Sequence, residues 1–215
     1  MKKAHGFTLL EILITMAIVS VGLMGIAAIL ARLQVSEVES YQRSQALIML
    51  SDITERLNVN RSALSCMAFT TDMTSGTPFI GTAADTGGLD LNTYTCVGLL
   101  SHTYNDLAVA TLKELNAQLQ GAAEVKKDAA TGSGAMLGAR ACVSYDATTE
   151  VSAIAGTGTY TITVVWQGLV ETKAPPTTSA CANGLYGPET QRRAVSTTVR
   201  FAFLTQLETG LLAWL

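Results

Sequence analysis

The stretch Gly6-Phe7-Thr8-Leu9-Leu10-Glu11 opens an apolar run that continues to Ala31, and Glu11 is the one charged side chain in its 25 residues. Lys2 and Lys3 lie just ahead of it and Arg32 closes it. A bilayer's hydrocarbon core takes ~20 apolar helical residues, so the run is long enough to span with some tilt. A secretory signal shares the basic start, but its apolar core is about 7–15 residues long and ends at a small-residue cleavage site. Here the residues that follow, Arg32-Leu33-Gln34-Val35, read as continuing helix. A single-pass anchor fits the length yet leaves Glu11 to be explained, because an acid at the bilayer centre costs roughly 2.5–3.5 kcal/mol. Near the end beside the basic leader the cost falls, and the positive helix N-terminus favours a carboxylate there. That account needs no function for Glu11.

Lys2-Lys3-Ala4-His5-Gly6 followed by Phe7-Thr8-Leu9-Leu10-Glu11 resembles the prepilin signature of type IV pilins and of type II secretion pseudopilins. The resemblance implies that a prepilin peptidase cuts between Gly6 and Phe7 and methylates the new amino terminus on Phe7. It also implies an assembly role for Glu11, whose carboxylate can pair with the amino terminus of a neighbouring subunit. In hydrocarbon each charge relieves the burial of the other, and the pair sets the axial register between subunits. The implied organisation is a leader peptide at 1–6, a transmembrane and assembly half-helix at 7–31, an amphipathic half-helix at 32–61 and a periplasmic body at 62–215. Ser20 to Ile26, Glu39 to Ala46 and Asp52 to Arg61 are similar to the minor pilins called PilV. So are the later stretches Tyr160 to Gly168 and Arg192-Arg193-Ala194-Val195.

The chain has 215 residues and a formal net charge of −3. A membrane helix leaves one soluble domain of about 150 residues. Beyond the leader no Lys/Arg cluster offers a footprint for nucleic acid. A low charged fraction of 14%, with many Gly, Thr and Ala residues, suggests a loop-rich, β-rich exported body. Lys2 and Lys3 before the run, against Glu37 and Glu39 after it, put the N-terminus in the cytoplasm and the body in the periplasm.

After the run, helix is expected to continue, since no proline precedes Pro78 and no glycine falls between Ala27 and Ser75. Ala46, Met49, Leu50, Ile53 and Leu57 recur at steps of three and four, with Asp52, Glu55 and Arg56 mainly outside. Gly22 and Gly25 each lower local helix stability by about 1 kcal/mol relative to Ala. The resemblance implies loss of helicity there on assembly; small residues for close helix packing are the plainer account. Ser62 to His102 reads as irregular structure. Asn105 or Asp106 is expected to cap a helix running to about Gln120, with Ala108, Leu112, Leu115 and Leu119 on one face and Gly121 as its stop. Gly132 to Gly138 reads as a loop, since Gly132-Ser133-Gly134 lacks the Gly-Lys-Ser/Thr and the strand-to-helix setting of a phosphate loop.

The rest reads as β. Ala141 to Tyr145 is a short strand, and Thr159 to Trp166 alternates and is rich in β-branched residues. A Gly156-Thr157-Gly158 turn ahead of the second suggests that the two form a hairpin. Ala194 to Leu204 is a third strand, with Val195, Thr197, Val199, Phe201 and Phe203 on one face, reached by a Pro/Gly-rich connection from Gly168 to Arg193. A three- or four-stranded antiparallel sheet laid on the amphipathic half of the first helix buries both apolar faces. The expected fold class is therefore α+β, a roll of the kind that the pilin resemblance implies.

Cys66, Cys96, Cys142 and Cys181 contain no Cys-x-x-Cys pair and are not spaced with His5 or His102, which argues against zinc. In an oxidising periplasm four cysteines suggest two disulfides, with three connectivities open. The expected pairing is Cys66–Cys96, pinning the irregular stretch, and Cys142–Cys181, tying the first strand to the long connection. Each closes a loop worth about 3–4 kcal/mol in the chain-entropy model. Four buried free thiols are the alternative. No catalytic constellation is evident, and no cofactor is implied. His5 would leave with the leader, and Ser101 next to His102 does not make a dyad. Asp85 and Asp90 read as solvated loop acids. Arg192-Arg193 could meet acids on a partner, although a solvated strand end is the commoner case. Leu211-Leu212-Ala213-Trp214-Leu215 is an apolar end that would fold back on the body or meet a partner.

The reading is a structural subunit and not an enzyme. The resemblance implies a precursor in inner-membrane lipid, processed by prepilin peptidase, that joins other minor pilins and the major pilin. The complex would lie at the tip of a type IV pilus, with a tip adhesin as a further candidate partner, and would serve assembly, adhesion and twitching motility. A minor pseudopilin of type II secretion has the same N-terminal chemistry. An anchored periplasmic binding protein or enzyme with a pilin-like N-terminus is the rival of another class.

Overall fold

The computed structural model describes residues 6, 8–82, 87–96, 101–122, 136–151, 154 and 156–201, with the side chains of 101–103 excepted. The chain divides into two compact units, Met1–Tyr41 and Gln42–Leu215. Helix α1 (Leu9–Val59) is unbroken through Gly22 and Gly25 and enters the second unit at Gln42. Within that unit its buried face is Gln42, Ala46, Leu50, Ile53 and Leu57, the apolar row expected from the three-four spacing with one amide added and with Met49 half-buried at its edge.

A 3-10 turn (Arg61–Ala63), the one-turn helix α2 (Leu64–Met67) and the two-residue strand β1 (Ile80–Gly81) follow. The stretch from Ser62 to His102, expected to be irregular, therefore carries α2 and β1. Helix α3 (Ser101–Leu119) starts before the cap expected at Asn105 or Asp106. Asn105 Oδ1 instead accepts the Cys96 N–H at 2.9 Å, a bond to the preceding loop and not to the helix's own first turn. Ala108, Leu112, Leu115 and Leu119 are all buried. At the far end Gly121 takes φ +77° and the Ala122 N–H reaches the Ala117 carbonyl at 3.0 Å, which closes the last turn as a left-handed cap.

Strands β2 (Arg140–Asp146), β3 (Thr159–Gln167) and β4 (Arg192–Arg200) complete a four-stranded sheet of order β1-β2-β3-β4, antiparallel throughout. Of the third strand expected to reach Leu204, residues 202–204 lie outside the described residues. The β2–β3 hairpin loop is braced by Tyr145, whose hydroxyl donates to Glu150 Oε1 at 2.5 Å and accepts the N–H of Gly156 at 2.8 Å and of Gly158 at 3.1 Å.

Period-two alternation sends the two faces of the sheet to different partners. On the inner face Val143 stands opposite Ile162, and Val164 is flanked by Ala141 and Val195. Together with Tyr160 and Trp166 they share one core with α3 and the buried face of α1. This is the α+β roll expected from the sequence. On the outer face Cys142, Val165 and Phe79 meet Cys181, Ala182 and Tyr186 of the β3–β4 connection in a second, smaller core.

Candidate functional site

The apolar part of α1, from Leu9 to Ala31, is preceded by a short polar cap. Thr8 lies just before α1, and the Glu11 N–H donates to its hydroxyl at 3.3 Å and to its carbonyl at 3.1 Å. Thr8-x-x-Glu11 is the pattern of a capping box, with the threonine at the cap and the acid three residues on. The spacing makes the pattern legible in the sequence, and Thr8 joins Glu11 as a functional residue of this end. Capping orients the first turn so that Glu11 sits where the unpaired N–H groups and the helix dipole favour a negative charge.

Between Leu9 and Ala31 the polar side chains are Glu11, Thr15 and Ser20, and the last two turn back onto their own backbone. Thr15 Oγ1 donates to the Ile12 carbonyl at 2.9 Å, and Ser20 Oγ to the Met16 carbonyl at 2.8 Å. Such bonds let a hydroxyl enter hydrocarbon without an unmet donor. The exception is Glu11, whose carboxylate has no partner among the described residues. Around it the large apolar side chains face outward, from Leu9 at 82% exposure to Met24 at 78%. The most apolar window of α1 has a mean hydropathy of 2.5 and none of it is buried, so α1 is long and apolar enough to cross a membrane. Such a surface requires lipid or other apolar helices around it.

Gly6, on the leader side of the expected cut, is exposed, and a Cβ there would meet nothing within 4 Å. Phe7, the expected first mature residue, lies outside the described residues, as do Lys2, Lys3 and His5 of the leader.

In the body the structure joins Cys66 to Cys96 and Cys142 to Cys181, with Cα–Cα distances of 5.0 and 5.7 Å. Cys66–Cys96 links α2 to the loop that leads into α3. Cys142–Cys181 fastens β2 to the β3–β4 connection within the second core. Arg192 is 2% exposed, which corrects the expectation of a solvated strand end or a partner-facing cation. Its Nε donates to Glu189 Oε2 at 2.6 Å, and its Nη1 donates to the carbonyls of Ser179 at 2.7 Å and Cys181 at 3.3 Å. Arg193 donates to the carbonyls of Thr190 and Val170. The two arginines are internal ties of the connection, because carbonyls brought close by its turns take the donors that sequence alone leaves unassigned.

A second buried cation, Arg140, lies between the rings of Phe79 and Tyr186, 5.2 and 4.7 Å from their centroids. Burial pushes the Tyr186 phenol up to about 12, and its hydroxyl donates to the Gly138 carbonyl at 2.7 Å. Asp90 is a turn former, accepting the Asn92 N–H and the Thr93 hydroxyl, both at 2.9 Å. Asp85, the side chains of Ser101 and His102, and the end segment Leu211 to Leu215 lie outside the described residues, as does the loop reading at Gly132 to Gly138 up to residue 135. Among the described residues no group of three or more His, Cys, Asp or Glu side chains is placed to hold a metal ion.

No curated protein and no solved structure gives a significant match to the chain. Residues 1–27 match the family model described as the prokaryotic N-terminal methylation motif. The N-terminus is therefore a type IV pilin-like signal, of the kind that prepilin peptidase processes and that marks subunits for assembly with other pilins.

Proposed function

We propose that this chain is a minor pilin of the PilV type, a structural subunit that helps to prime a type IV pilus and forms part of its tip complex. The observation that carries the proposal is the carboxylate of Glu11, without a partner among the described residues, in the capped first turn of the exposed apolar half of α1. In lipid an unpaired carboxylate is costly, and a cation at the same depth relieves that cost. The amino terminus created by cleavage at Gly6/Phe7 on a neighbouring subunit supplies such a cation. The precursor is held in the inner membrane with its body in the periplasm. Methylated at Phe7, it leaves the bilayer for the filament, where the body meets other minor pilins, the major pilin and a tip adhesin. The β3–β4 connection, braced by Cys142–Cys181 and Arg192, supports this reading because it offers a preformed surface that needs little ordering on contact.

The test is the mass of the mature N-terminal peptide from protein made in its native membrane, together with the fraction in which the protein is found. A peptide beginning at methylated Phe7, with the protein in sheared pili, is the expected result. The same peptide from protein found only with a secretion apparatus would identify a minor pseudopilin of type II secretion. A chain still starting at Met1 would overturn both readings and leave an anchored periplasmic binding protein.

A further inference from the structure

In the second unit, α3 and the loop that follows β1 border a groove of about 500 Å³. One wall carries Lys113 and Asn116 of α3 with Gln120 just past its end, and the other carries Asp90 and Asn92. Asn116 Oδ1 accepts the Gly81 N–H at 2.8 Å, and Gln120 Nε2 donates to the Gly81 carbonyl at 2.7 Å. Each amide thus uses one end to close the edge of the sheet. The Asn116 amino group, the Gln120 carbonyl and the side chains of Asn92 and Lys113 have no hydrogen-bond partner among the described residues, while the Lys113 ammonium interacts through its charge with the Asp90 carboxylate.

We infer that this groove binds a neutral saccharide through Lys113, Asn116, Gln120, Asp90 and Asn92. Three other ligand classes fit it less well. An ion gains little, because Asp90 and Lys113 are of opposite sign and cancel at a distance. A peptide strand needs an unpaired sheet edge, and both polar groups of Gly81 are already taken. An apolar ligand would gain contact with Phe79, Leu89 and Leu91, which also line the groove, but would strip water from five polar side chains without replacing their hydrogen bonds. Sugar hydroxyls donate and accept at once, which matches a wall mixing ammonium and amide donors with carboxylate and carbonyl acceptors. The volume lies within the usual range for small-ligand sites. All five residues belong to the Gln42–Leu215 unit, so the assignment stands whether or not the chain enters a filament.

The test uses the full chain in micelles of a zwitterionic, sugar-free detergent. Glucose, galactose, N-acetylglucosamine and lactose are titrated while the side-chain amide resonances of Asn116 and Gln120 are followed. The expected result is a saturable shift with one of these sugars and a Kd below ~10 mM. Asn92→Ala and Lys113→Ala, which remove side chains without hydrogen-bond partners in the fold, should each weaken binding about tenfold, with the melting midpoint unchanged in Asn92→Ala and little changed in Lys113→Ala, whose exposed charge pair with Asp90 is weak. The assignment is overturned if none of the four sugars saturates below ~10 mM, if both variants bind like the parent, or if acetate or ammonium shifts the same resonances more than any sugar does.

Discussion

Glu11 donates its backbone N–H to the Thr8 hydroxyl at 3.3 Å, so the residue that caps α1 also holds the one acid of the apolar run in the helix's first turn. Glu11→Ala should leave cleavage at Gly6/Phe7 intact and reduce the amount of subunit in sheared filaments. Thr8→Ala should loosen the first turn by about 1 kcal/mol and cause a smaller loss than Glu11→Ala, because the charge is still present. Mass spectrometry of the N-terminal peptide reads processing, and immunoblots of sheared material read incorporation. Normal incorporation of Glu11→Ala would remove the charge-pairing role.

The two disulfides enclose separations of 30 and 39 residues, for which loop-closure entropy gives about 3–4 kcal/mol each. Replacing Cys142 and Cys181 together by Ser should lower the denaturation free energy by about that amount. It should also make the β3–β4 connection the first site of proteolytic nicking, since the smaller core beneath it loses its staple. Peptide mapping under non-reducing conditions should recover Cys66 with Cys96 and Cys142 with Cys181. Any other pair would contradict the connectivity.

What the sequence made legible was whatever repeats. The three-four spacing of Ala46, Leu50, Ile53 and Leu57 and the alternation from Thr159 to Trp166 extend over enough residues for a period to show, and both lead into the main core. Strand β1 is two residues long and includes Gly81 at φ +115°, so it has no period; a Cβ there would lie 2.3 Å from the Ala139 carbonyl oxygen. The early start of α3 and the burial of Arg192 were hidden for a different reason. Asn105 bonds to Cys96 and Arg192 to the carbonyls of Ser179 and Cys181. Partners set by chain reversal leave no mark in local composition. In the N-terminal segment the motif carried almost everything, and the cap at Thr8 was legible in it from the spacing to Glu11.

The pH dependence of stability should include an acid limb from two carboxylates of the body. Hydrogen bonds from Arg56 hold the Glu114 carboxyl below its ordinary 4.5. The Ser75 hydroxyl, then the N–H groups of Thr74 and Ser75, pull Asp72 from 3.8 to about 2. Both folded values are depressed, so the stabilisation is present above the ordinary carboxyl values and is lost as pH falls through the folded ones. Both groups are exposed, which keeps the effect small and sensitive to salt. Urea midpoints measured from about pH 7 to about pH 2 should decline below the ordinary carboxyl range. The part of the decline due to Glu114 should disappear in Glu114→Gln.

Arg56 itself ties α1 to α3, with Nη1 donating to Glu114 Oε2 at 2.7 Å and Nε to Asp52 Oδ2 at 3.0 Å. Its hydrogen bond to Glu114 is the main cause raising its own pKa. Arg56→Ala should cost about 1 kcal/mol, since the pair is only partly sheltered and the arginine's stem is lost with its charge. Arg56→Met, which keeps the stem, should restore part of that loss. Equal losses in the two variants, measured by urea denaturation, would mean that the charge alone matters.

Arg192 should tolerate substitution far less than Arg56. Its guanidinium is buried against Glu189 and two carbonyls, and Glu189 Oε1 also accepts the Gly184 N–H at 2.8 Å. Removing one partner of a buried, hydrogen-bonded ion pair typically costs about 3–5 kcal/mol, because the groups left behind lose their partners without regaining water. Arg192→Met should therefore destabilise the body by an amount near the lower end of that range, Glu189 being partly exposed. Arg192→Lys should recover little, since one ammonium cannot reproduce a fork that serves a carboxylate on one arm and two carbonyls on the other. Denaturant midpoints give the cost, and limited proteolysis gives its location. Cleavage between Thr172 and Glu189 should rise in both variants before the rest of the body opens. Nicking spread evenly over the chain would instead mean that Arg192 supports the whole fold and not this one connection.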